Sequence, residues 1–188
     1  MKRLGLSLAL ASALALSACA SMPESAPSTA VMPLGALHSN GDIDVRALDV
    51  ASYSFGHWRA MQGDPAMAAE AVAALDYMGG KLNTSPRWSV MPSIFRMNML
   101  TSRNAVRAQL GIGRDVPSQA VVDAMLGLSS AYRAGNQAKV AQILASPIFS
   151  LGAAATAQRL ANLPYMPSVA NATAHAAAYG LPTSIVGG

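Results

Sequence analysis

Gly63-Asp64-Pro65-Ala66-Met67-Ala68-Ala69-Glu70-Ala71-Val72-Ala73-Ala74-Leu75-Asp76-Tyr77-Met78-Gly79-Gly80 is the stretch on which the reading of the fold turns. An aspartate side chain accepts hydrogen bonds from the unpaired N–H groups of a first helical turn, and a proline directly after it loses nothing there by lacking an N–H. Asp64-Pro65 therefore predicts a helix start. Met67, Ala71, Leu75 and Met78 then recur at the spacing of one helix face. Gly79-Gly80 reads as the stop.

The same grammar extends in both directions. Towards the N-terminus, Val45, Leu48, Phe55 and Trp58 predict a helix from Asp44 to about Gln62. Residues 81–92, with Pro86 and Pro92, read as a connecting loop. Ser93 is placed to cap a helix to about Leu110, with Phe95, Met99, Val106 and Leu110 on one side. Pro117-Ser118 opens another, where Val121, Met125, Leu128 and Tyr132 repeat at helical spacing. Gly135-Asn136 ends it and starts a short helix bearing Val140, Ile143 and Leu144. Pro147 opens a sixth, to about Asn162, and Pro167-Ser168 a seventh, ending at Gly180. No segment alternates apolar and polar residues as a half-buried strand does. The expectation is an all-α domain over residues 38–188, a single irregular bundle of about six to seven short helices. Gly63-Asp64, with Ala66 and Ala69, is echoed 72 residues later by Gly135-Asn136, with Ala138 and Ala141. That is near twice the period of tetratricopeptide-type helix pairs, but the large aromatic signature of those repeats is largely missing.

The whole chain has 188 residues and 19.3 kDa, of which 52% are hydrophobic, 12% charged and 5% aromatic. The low charge argues against a coiled coil or a charge-rich disordered chain, and the length allows one medium domain. The mean hydropathy of +0.31 averages an apolar leader with a less apolar body. Met1-Lys2-Arg3 gives a positive start, and Leu4 to Leu16 is a charge-free run of 13 residues. A bilayer span needs about 20 apolar residues, so the run fits the apolar region of a secretory signal peptide instead.

Leu16-Ser17-Ala18-Cys19 resembles the lipobox of a bacterial lipoprotein precursor, a resemblance that covers the first 20 or so residues. It implies a diacylglyceryl group on the Cys19 thiol, cleavage just before that cysteine after residues 1–18, and a further acyl group on the new amine. One acyl chain holds weakly, whereas two or three give a stable anchor. The absence of an aspartate at Ala20 implies, by the same resemblance, an outer-membrane address facing the periplasm. Ala18-Cys19-Ala20 is also a small-x-small site, and cleavage after Ala20 would give a soluble secreted protein. Residues 19–37, rich in Ser, Pro, Ala and Thr, read as a flexible tether; some 17 flexible residues reach about 20–25 Å. Loss of Lys2 and Arg3 leaves 11 basic and 9 acidic side chains. Cys19 is the only cysteine, so the mature domain has no disulfide, thiolate nucleophile or cysteine metal site to draw on.

Catalytic and ligand motifs are sparse. His38, His57 and His175 have no partner at metal-binding spacing, no G-x-S-x-G elbow occurs, and Gly111-Ile112-Gly113 lacks the third glycine of a phosphate loop. Asn40-Gly41-Asp42-Ile43-Asp44 resembles the middle of an EF-hand loop, but Ala36, His38 and Ala47 fall where ligands belong. A turn with Asp42 or Asp44 capping the first helix explains it better. The methionines, among them Met91, Met97 and Met99, suit gap filling in an alanine-rich core. These readings imply no cofactor, no metal and no catalytic residue.

Charge is unevenly placed. Residues 41–80 carry six acids and two bases, whereas Lys81 to Arg114 carry six bases and no acid. On a helical wheel Arg96, Arg103 and Arg107 form a stripe beside the apolar face. One reading makes this stripe, with the loop residue Trp88, a contact surface for an acidic envelope protein or polyanion. The other has the acidic and basic helices facing each other. Trp88 is either a plug on the core or a contact residue. Nucleic acid is a poor partner for an exported chain. The functional expectation is a lipid-anchored, non-enzymatic binding or scaffold module of the cell envelope, attached to the membrane through Cys19. The alternative is a small envelope enzyme with a dispersed site.

Overall fold

A computed structural model describes residues 27–180. Among them are eight α-helices: α1 (Ile43–Gly56), α2 (Trp58–Met61), α3 (Pro65–Thr84), α4 (Ser93–Gln109), α5 (Ser118–Arg133), α6 (Gln137–Leu144), α7 (Ala153–Ala161) and α8 (Pro167–Gly180). No β-strand forms in this region; Ile112 and Phe149 make one isolated antiparallel bridge. The chain is an all-α bundle. The leader, Cys19 and the first part of the predicted tether lie outside the described residues.

Helix α3 is the hub, packed against α1, α4 and α5, while α8 closes the side formed by α1 and α4. Fourteen of its 20 residues are buried, so it is covered nearly all round. Alanine makes this possible, because interaxial distance depends on the side chains at the contact, and small ones admit three neighbours at once. The other predicted apolar faces point inward as well: Met99, Val106, Leu110, Val121, Met125, Leu128 and Leu144 are all buried. Met61, Met78, Met91, Met99 and Met125 fill the core, whereas Met97, expected among the gap fillers, is 60% exposed.

The two predicted glycine-turn caps form, whereas Ser93 makes no capping bond, being the first helical residue after Pro92. Asp64 accepts from the Met67 N–H at 2.9 Å and Asn136 from the Lys139 N–H at 2.9 Å, each preceded by a glycine at positive φ. The 72-residue echo is this shared stop-and-cap device.

Several boundaries differ from the sequence reading. The first predicted helix breaks at His57, whose backbone N–H and ring Nδ1 both point at the Tyr53 carbonyl. Pro147 does not open a helix. Phe149 is buried, and Ser150 binds the Gly111 carbonyl through its N–H at 3.0 Å and its hydroxyl at 2.7 Å, so α7 starts only at Ala153.

The largest correction concerns Gly79-Gly80, which does not stop α3. A Cβ on Gly80 would stand 2.2 Å from the Ser28 carbonyl oxygen, and one on Gly79 would stand 3.0 Å from Arg103 side-chain carbons. The two glycines are the floor on which other chain segments lie.

One of those segments belongs to the predicted tether, which is therefore shorter than expected. From Ser28 the chain is packed on α3 and α5: Ala30, Met32 and Leu37 are buried, and Val31 exchanges hydrogen bonds with the Gln119 side chain at 2.7 and 3.1 Å. This strap runs from the level of Gly80 and Ser118 to the level of Glu70 and Arg133.

Candidate functional site

The basic stripe is not a surface. Arg107 is 1% exposed and forks onto Asp76 of α3, with Nε to Oδ2 at 2.6 Å and Nη2 to Oδ1 at 2.7 Å. Its remaining N–H groups donate to the Gly113, Arg114 and Val116 carbonyls and to the Ser118 hydroxyl. Arg103, also buried, donates to the Ser28 carbonyl at 2.9 Å and Ser118 Oγ at 3.1 Å. Burial pushes its guanidinium below the usual arginine range, with Asp76 opposing and Arg107 reinforcing the shift. Arg96 lies two turns away and is half-buried. The stripe thus closes the bundle from within, and the acidic and basic helices face each other.

Trp88 is likewise a plug. It is buried and donates from Nε1 to Asp44 Oδ2 at 3.1 Å, with the Arg87 guanidinium 4.8 Å from its ring centroid. Asp44 also accepts from the Tyr77 hydroxyl and lies 3.9 Å from Lys81 Nζ. Burial and this carboxylate hold the Tyr77 phenol far above its ordinary range. Asp42 is the cap, accepting from the Asp44 and Val45 N–H groups while pairing with Arg87. The hydrogen bond from Arg87 is the main reason its carboxyl sits below the usual aspartate value. Among the described residues no group of three or more His, Cys, Asp or Glu side chains is arranged to hold a metal ion.

A cleft of about 570 Å³ lies between the end of the strap and α5. Leu34, Ala36, Leu37, Leu126 and Ala134 give it apolar walls, and Glu70, His38, Arg133, Ser129 and Ser130 supply its polar groups. Arg133 pairs with Glu70 through both nitrogens and places Nη1 3.0 Å from His38 Nε2. The same Nε2 lies 3.5 Å from Glu70 Oε1, so the exposed His38 ring faces both members of the pair. The hydrogen bond from Arg133 to Glu70 raises the arginine above its ordinary value. Ser129 is 2% exposed and its hydroxyl has no hydrogen-bond partner among the described residues. The rim is strained, because Leu37 and His38 have φ of 56° and 54°, where a Cβ costs about 1–2 kcal/mol. Buried Leu37, whose carbonyl accepts from Arg46 Nε at 3.0 Å, holds that conformation.

The other histidines lie apart from this cleft. His57 stacks on Tyr53 at 4.5 Å, in a group with Trp58, Arg59 and Tyr165. His175 stacks on Phe95 at 5.1 Å and lines a polar cleft of about 290 Å³ with Asn98, Thr101 and Asn171. No protein-family model matches the chain, and no curated protein or solved structure is significantly similar to it.

Sequence reasoning passes over Glu70, Ser129 and Arg133. Glu70 does carry a signal, as the lone charge in the alanine run of α3. Its partner lies 63 residues away, at the end of an antiparallel neighbour, and no local pattern links the two.

Proposed function

We propose that this protein is a lipid-anchored, periplasm-facing binding module of the cell envelope, held by acylated Cys19 at the outer membrane and acting without catalysis. The cleft beside α5 is its candidate site. The observation that carries this is the cleft itself, where apolar walls, the Glu70–Arg133 pair and a strained rim meet. Backbone strain gathers at ligand-binding positions. Glu70 and Arg133 neutralise each other, so the cleft suits an apolar group with a hydrogen-bonding head better than a polyanion.

Two measurements test the reading. Mass spectrometry of the mature N-terminus is expected to find a di- or triacylated Cys19; an unmodified chain beginning at Ser21 would remove the anchor. The cleft is probed with anilinonaphthalene sulfonate, an apolar ring system bearing an acceptor group. Leu126→Trp, which fills the cleft, is expected to weaken one-site binding at least about tenfold, or ~1.4 kcal/mol. Unchanged affinity in a normally folded variant would rule out the cleft.

A further inference from the structure

The two ends of the bundle differ. The strap starts beside Gly80 and Ser118 and runs towards Glu70 and Arg133, antiparallel to α3, so its Ser28 lies near the end where α3 finishes. At that end α4 begins: Asn83 Nδ2 donates to the Arg96 carbonyl at 3.0 Å, about 5 Å further along the axis than Gly80. Phe95 meets Tyr179 of α8 here, so α8 finishes at the same end. Gly180 packs against Trp88, which brings in the loop before α4.

This end carries a group of exposed apolar side chains close together in sequence. Val90 is 81% exposed, Met97 60% and Ile94 57%, with Tyr179 beside them at 49%. Ile94 and Met97 are three residues apart and share a helix face. Half-buried Arg96 adds positive charge at the edge, while the acids nearby in the fold, Asp42 and Asp44, are engaged by Arg87, Lys81 and Trp88.

We propose that this end of the bundle lies against a phospholipid surface, with Val90, Ile94 and Met97 entering the headgroup boundary; the inference rests on the lipid anchor proposed for Cys19. Chain length supports it. Nine residue steps separate Cys19 from Ser28, and at about 3.3–3.6 Å each they span no more than about 30–32 Å. Helix α3 is itself about 30 Å long, so the opposite end, with Trp58 and Tyr165, reaches the bilayer only if that chain is drawn taut along the bundle. The end beside the strap's entry comes within reach without such extension, and it is there that Val90, Ile94 and Met97 face outward together. Apolar residues flanked by a basic one are what an interfacial contact needs.

The test uses chain 19–188 coupled through the Cys19 thiol to a maleimide phospholipid, in vesicles of phosphatidylethanolamine and phosphatidylglycerol with brominated acyl chains. Two variants place a tryptophan at opposite ends, Met97→Trp and Tyr165→Trp. The added fluorescence of Met97→Trp is expected to be quenched at least twofold relative to unbrominated vesicles, and that of Tyr165→Trp to be unchanged. Adding Val90→Asp and Ile94→Asp to Met97→Trp is expected to abolish the quenching. Equal quenching at both ends, or none at position 97, overturns the proposal. Quenching at position 97 that appears only when residues 181–188 are removed also overturns it, because the chain's own C-terminus then covers the patch. Coupling is chemical, so a cellular protein without acyl groups on Cys19 would defeat the anchor reading while leaving the vesicle measurement interpretable.

Discussion

Asp76 and Arg107 show how a residue's meaning depends on what stands opposite it. Each side chain is 1% exposed, and each takes its charge into the core only because the other is there in fork-to-fork geometry. Helical spacing correctly placed Arg103 and Arg107 beside an apolar face; what it lacked was the identity of the facing helix, which turns an expected docking stripe into an internal clamp. Removing one partner strands the other charge. Arg107→Met is therefore expected to lower stability by about 3–5 kcal/mol, and the double variant Asp76→Leu/Arg107→Met to recover most of that loss. Urea unfolding of the three proteins checks this, and a double variant no more stable than Arg107→Met would refute it.

At the scale of the element, the start of α1 joins a cap to an ion pair. Asparagine caps a helix about as well as aspartate, so Asp42→Asn keeps the cap and loses only the charge that faces Arg87. That exposed pair is worth less than about 1 kcal/mol, whereas Asp42→Ala loses the cap too, about 1 kcal/mol more. The Asp42 carboxyl is depressed in the folded state, so its contribution is present above the unfolded aspartate value and fades as pH falls through the folded one. The stability gap between wild type and Asp42→Asn should be constant near neutrality and close below about pH 4, as thermal melts would show. A gap that widened on acidification would contradict this assignment. Element boundaries were legible where the signal was a local cap, as at Asp64 and Asn136. They were misread where a distant segment decided them, as at Gly79-Gly80, whose missing side chains make room for Ser28 and Arg103.

At the scale of the molecule, the strap converts part of an apparent tether into a packed element. Chains beginning at Pro27 are expected to match the mature protein in stability. Chains beginning at Ala36 lose the burial of Ala30 and Met32 and the Ser28 hydrogen bonds to Arg103 and Ser118, about 2–5 kcal/mol. Chemical denaturation of the two truncations separates these outcomes, and equal stability would mean that the strap is an ornament. The sequence by itself determined the helical class, most helix starts and the inward faces, because caps and 3.6-residue periodicity act within a few residues of chain. It also carries the leader-like run and the lipobox resemblance, linear motifs that stand as expectations. Only the tertiary structure decided that the arginines are internal, that Trp88 is a plug and that residues 28–37 are packed. It alone brought Glu70, Ser129, Arg133 and His38 to one cleft and put exposed Val90, Ile94 and Met97 at the end where α3 finishes. Those outcomes depend on burial and on pairing between residues tens of positions apart, and free energies of that kind exist only once helices face each other.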